Sequence, residues 1–90
     1  MARQKIIAVR DREVDAFNRP IFVNSIGQAT RMFRDEINRV SIQGNDNIMY
    51  QHPDDFDLYE LGEWDEETGK FFMLEVPRQI AIGKDMKERS

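Results

Sequence analysis

From Ser25 onward the apolar residues Ile26, Ala29, Met32, Phe33, Ile37 and Val40 recur at three- and four-residue steps. That spacing puts them on one stripe of an α-helix of about four turns. Ser25-Ile26-Gly27-Gln28 has the form of a capping box, in which the Ser hydroxyl accepts from the backbone three residues on and the Gln side chain reaches back, so the helix is predicted to start at Ser25. Such a stripe must face an apolar surface. In a chain of 90 residues there is material for one core and not two. A domain this small buries only about 60% of its unfolded surface, and its usual reinforcements are missing. With no cysteine there is neither a disulfide nor a thiolate metal site. Self-association, a homodimer first, is the expected substitute.

The surface that the helix needs is predicted to be a sheet. Lys5-Ile6-Ile7-Ala8-Val9-Arg10 reads as a strand. Val14 to Val23 alternates loosely around Pro20, which confines it to an edge or to a bulge. On the exposed side of the helix Arg31, Asp35 and Arg39 are spaced for two i,i+4 pairs. Gln43-Gly44-Asn45-Asp46-Asn47 then closes the helix, and residues 48–55 connect it to a strand from Phe56 to Trp64. Asp65 to Gly69 forms a hairpin loop, and Lys70 to Val76 is the return strand, which Pro77 ends. Gln79 to Ile82 adds a short edge strand. The expectation is a single α+β domain over residues 1–83, a small antiparallel sheet of about four strands in ββαββ order, with a flexible tail at 84–90.

In the return strand Phe71 and Met73 oppose Phe72, Leu74 and Val76, and in the first strand Ile6 and Ala8 oppose Ile7 and Val9. Both sheet faces are therefore apolar. One helix covers only one of them, which leaves the second for a partner chain, a ligand or the C-terminal segment.

Charge divides the chain unevenly. Residues 1–40 carry eight Lys/Arg against five Asp/Glu, a net of +3; residues 41–76 carry one against ten, a net of −9; residues 77–90 carry four against two, a net of +2. An anionic partner should avoid the middle block. No apolar run approaches the roughly 18 residues of a membrane span, and the N-terminus leads into a strand, so the cytosol is the expected location.

Catalytic apparatus is hard to find. His52, Asp54, Asp55 and Asp57 are the one cluster suited to acid–base work or a divalent cation, but no second histidine supports them, and Asp after Pro is ordinary turn chemistry. No nucleophile elbow, P-loop or GxGxxG is present. The expected protein is not an enzyme and has no metal or cofactor. Nucleic-acid binding has more material. Phe17, Phe22, Tyr50, Tyr59, Trp64, Phe71 and Phe72 could stack bases, and Arg3, Lys5, Arg10, Arg12, Arg19, Arg31, Arg34 and Arg39 could meet phosphates. The acidic hairpin, with Glu63, Asp65, Glu66 and Glu67, would instead suit a basic protein partner.

Several segments taken together carry a family resemblance. They are Phe17 with Pro20 and Phe22, the run Gln28-Ala29-Thr30-Arg31-Met32-Phe33-Arg34-Asp35, and above all His52-Pro53-Asp54-Asp55-Phe56-Asp57-Leu58-Tyr59-Glu60-Leu61-Gly62-Glu63-Trp64-Asp65 followed by Thr68-Gly69. Over residues 4–83 the chain resembles the small nonstructural protein of gokushoviruses, single-stranded DNA phages of the Microviridae. The resemblance implies a DNA-binding protein of the bacterial host cytoplasm, acting in the switch from duplex replication to single-stranded genome synthesis and packaging. It carries over no catalytic residues. Two roles follow as expectations: contact with single-stranded DNA through the basic N-terminal strands and the helix, or an acidic adaptor that docks on the phage replication or procapsid protein.

Overall fold

A computed structural model describes residues 2–40 and 46–88, so residues 43–45 of the helix-closing turn expected at 43–47 lie outside the described residues. The chain forms β1 (Arg3–Asp11), β2 (Ala16–Phe17), β3 (Ile21–Val23), α1 (Ile26–Ile37), α2 (Ile48–Gln51), a 3-10 turn (Pro53–Asp55), β4 (Phe56–Asp65), β5 (Phe71–Ile82) and α3 (Gly83–Met86). The architecture is the expected α+β one, a curled antiparallel sheet with helices on one side. The strand order is β2-β1-β4-β5, and β3 pairs with β1 beside β2. The loose segment around Pro20 thus becomes two short strands on one edge, separated where proline cannot donate to a ladder.

α1 starts as its capping box dictates. Ser25 Oγ accepts from Gln28 N at 3.1 Å, and Gln28 Oε1 accepts from Asn24 N at 2.8 Å. Its buried stripe is Ala29, Phe33 and Ile37, which pack with Ile7, Val23, Phe56 and Leu58 into the core. The helix stops a turn earlier than the stripe suggests, for reasons of hydrogen bonding. Asn38 donates from Nδ2 to the Arg34 carbonyl, and Asn47 donates from Nδ2 to the Glu36 and Arg39 carbonyls at 2.9 and 3.0 Å, which satisfies the orphan end of the helix. Val40 lies beyond that end and is exposed. The anticipated pairing of Asp35 with Arg31 and Arg39 is not formed; Arg39 turns to Glu36, one turn back, at 2.8 Å.

β5 corrects a second expectation. Pro77 does not end the return strand, because both halves of β5 pair with β4. The ladder runs from Trp64↔Phe71 to Gly62↔Met73 and resumes at Glu60↔Arg78, so Leu74 to Pro77 bulge out opposite Leu61 alone. Proline sits in the excursion, where no donor is required. A second shift, between Leu58↔Ala81 and Tyr59↔Gln79, lets Ile80 and Ala81 both reach the core.

The segment from residue 84, expected as a tail, folds back through residue 88. Met86 packs on the core, its carbonyl accepts from Asn38 Nδ2 at 2.9 Å, and Lys87 donates to the Tyr50 carbonyl at 3.1 Å. Gly83 makes this return possible. A Cβ there would lie 2.6 Å from the Phe56 carbonyl and 3.2 Å from Ile37 Cδ1. α3 therefore adds to the α1 side of the sheet and leaves the other face as it was.

Candidate functional site

Register assigns each strand residue within the ladders to a face. Val23, Lys5, Glu63 and Phe72 share the α1 side with Ile21, Ile7, Glu60 and Arg78, and with Val9, Leu58 and Ala81. The opposite face carries Gln4, Trp64 and Phe71 in one row, Phe22, Ile6, Gly62 and Met73 in the next, and then Ala8, Tyr59 and Gln79. Phe17 and Arg10 pair beside them.

Five of the seven candidate stacking residues thus gather on the open face. Phe22 meets Trp64 edge to face at 5.5 Å between ring centroids and Phe71 at 6.3 Å, while Phe17 meets Tyr59 at 5.4 Å. Phe22 is 46% and Phe71 57% exposed. Ile6 and Ala8, in the middle of this face, are buried beneath the larger side chains of the flanking strands. Gly62 permits the arrangement, because a Cβ there would come within 2.6 Å of the Phe72 carbonyl and block the close approach of β5. The other two rings are elsewhere. Tyr50 lies under Lys87, whose Nζ is 3.1 Å from the ring centroid, and Phe72 lies on the α1 side under the Arg3 guanidinium at 4.1 Å.

The eight candidate cations are not brought together. Five of them are paired within the chain. Lys5 lies 2.5 Å from Glu63 and 3.4 Å from Glu60, Arg3 lies 3.0 Å from Glu63, Arg10 pairs with Asp15, and Arg39 pairs with Glu36. The Lys5 hydrogen bond, helped by Arg3, lowers the Glu63 pKa, and the same bond raises that of Lys5. Arg12 is a clip. Its backbone N donates to the Asp55 carbonyl at 2.8 Å, its guanidinium donates to the Asp54 carbonyl, and its Nε lies 3.3 Å from buried Asp57. The His52–Asp57 run is accordingly held as a structural turn, with His52 exposed at its start. Among the described residues no ion pair involves Arg19, Arg31 or Arg34. Arg31 and Arg34 are on the exposed side of α1, across the sheet from the rings, whereas Arg19 is in the loop between β2 and β3.

The acidic hairpin is also partly occupied. Glu63 belongs to the pairs just described, and Asp65 accepts from Glu67 N at 2.9 Å to shape the turn. Glu66 and Glu67 are the exposed members.

Sequence reasoning did not single out Glu60 and Arg78. Glu60 is buried, held by Arg78 and Lys5. The signal was its phase: Phe56, Leu58 and Glu60 alternate onto the covered side, and a carboxylate there requires cations. A separate groove of about 230 Å³ between α1 and β1–β3, lined by Ile21, Met32, Phe33 and Met49, is nearly all apolar and brings no pair of titratable groups together. Among the described residues there is also no group of three metal-ligating side chains and no helix long and apolar enough to cross a membrane.

No curated protein and no solved structure matches the chain. A family model described as Phage ORF5 protein matches residues 4–86, which is nearly all of the sequence, and the chain belongs to that family of phage proteins.

Proposed function

We propose that this phage protein, of gokushovirus type, contacts single-stranded DNA in the host cytoplasm during the switch to genome synthesis and packaging, and that it catalyses no reaction. The observation that carries the reading is the cluster of Phe22, Trp64 and Phe71, with Phe17 and Tyr59 farther along the same sheet face, which no helix covers among the described residues. Every base has a π-face, so such a platform takes single strands with little regard to sequence, each stacked base contributing about 1–3 kcal/mol. Arg19, which makes no ion pair among the described residues, supplies positive charge on the β2–β3 edge, and Arg10, 5.9 Å from the Phe17 ring, adds to it where a phosphate displaces Asp15. Because most other cations are already paired, stacking outweighs phosphate neutralisation. The slope of log K against log salt should then be about −1.4 or shallower, equal to roughly two phosphates.

Polarisation titration of a labelled oligothymidine tests this. Wild type should bind it and should prefer it to duplex of the same length, because paired bases hide their faces. Absence of binding at low salt would sink the reading. The adaptor role keeps Glu66 and Glu67 as its exposed carboxylates, and reversing both to Lys should release a bound phage protein if that role operates.

A further inference from the structure

β5 forms one edge of the sheet, and its middle is a run of exposed apolar residues. Met73 is 53% and Val76 70% exposed, with Phe72 and Leu74 close behind. Leu74 to Pro77 leave the ladder, so their side chains sit on a protrusion and contribute nothing to the pairing of β4 with β5. Next to them are Glu75, which makes no ion pair among the described residues, and Arg78, whose side chain is 65% exposed although it also holds Glu60.

The total surface leaves room for a cover on this scale. The chain exposes 6298 Å². A monomer of its 10.7 kDa ordinarily exposes about 5,500 Å². The surplus of roughly 800 Å² is what one partner contributes to a standard protein interface.

We infer that a second copy of this chain covers the protrusion, forming a two-fold dimer on Phe72, Leu74 and Val76. A two-fold contact is self-complementary. An axis passing beside Val76 and Pro77 sets each copy's Glu75 against the other's Arg78, because the two residues flank that point in the chain. The charge is wrong for a phosphate backbone, since Glu75 is unpaired and the nearby cations Lys5 and Arg3 are neutralised by Glu60 and Glu63. It is right for a copy that brings the same Glu and Arg in reverse order.

Light scattering on a sizing column, without DNA, tests the dimer separately from DNA binding. Wild type should show twice the 10.7 kDa chain mass, falling towards one chain on dilution. The double variant Leu74→Asp/Val76→Asp should run as one chain with an unchanged circular dichroism spectrum, because both positions lie off the ladder. Glu75→Arg, an exposed change that leaves the core alone, should raise the dimer dissociation constant roughly tenfold or more by setting like charges together. A wild type that stays at one chain mass at every concentration overturns the inference. So does a folded double variant that still dimerises.

Discussion

The two faces of the sheet are made from the same kinds of residue and have come to different ends. On one, Ile7, Leu58 and Phe56 meet Ala29, Phe33 and Ile37 of α1 and are sealed to a few per cent exposure. On the other, Phe22 packs edge to face against Trp64 and Phe71 and stays half exposed. The first face has its apolar partner inside the chain, and its residues hold the fold together. The second keeps its rings accessible, and on the proposed reading its residues matter less to the fold and more to contact with DNA.

That contrast is broken most forcefully from the covered side. Phe33→Ala should cost about 3–5 kcal/mol of stability in denaturant unfolding, since a buried ring is removed from the core. Next comes Arg12→Ala. It leaves Asp57 buried without its cation and should cost about 2 kcal/mol, below the roughly 3–5 kcal/mol of a fully buried pair because Arg12 is half exposed. If Arg12 served DNA instead, affinity would fall and stability would hold. Trp64→Ala reverses the pattern, weakening oligothymidine binding by about 1–3 kcal/mol while changing the unfolding midpoint less than Phe33→Ala does. Its control is Arg31→Ala/Arg34→Ala on the helix side, which should leave that affinity nearly unchanged; an equal loss there would move the site across the sheet. The smallest effect belongs to Glu63. Its folded pKa is lowered by Lys5 and Arg3, so its pairs stabilise the fold above the ordinary glutamate range and that contribution is lost as pH falls through the depressed value. Glu63→Gln should slightly flatten the acid side of a stability-against-pH profile, and no change there would mean the pairs contribute nothing measurable.

What could be read from the sequence follows how local each interaction is. The start of α1 was legible because Ser25 and Gln28 are three residues apart and cap the same turn. Its end was not, because Asn38 and Asn47 terminate it through bonds to carbonyls and to α3 that depend on the return of the chain. The alternation of Phe71 and Phe72 showed that both sheet faces were apolar. It could not show that Phe22, Trp64 and Phe71 would line up, since that depends on the register of β3, β1, β4 and β5 and on the bulge at Leu61. Pro77 misled because its bulge exists only in relation to β4. That five of the eight candidate cations pair within the chain is not legible in the sequence for the same reason. Lys5 and Glu63 are 58 residues apart in the chain and 2.5 Å apart in the fold.

Trp64 is the chain's one tryptophan and lies in the cluster of rings proposed to stack bases, so its emission reports on the open face without a label. Titrating the protein with oligothymidine at low salt while following that emission tests the central claim most directly. The account predicts saturable quenching, abolished or sharply weakened in Phe22→Ala and retained in Arg31→Ala/Arg34→Ala. Emission that stays constant while polarisation reports a bound oligonucleotide, or quenching that survives Phe22→Ala and vanishes in the helix variant, would contradict it.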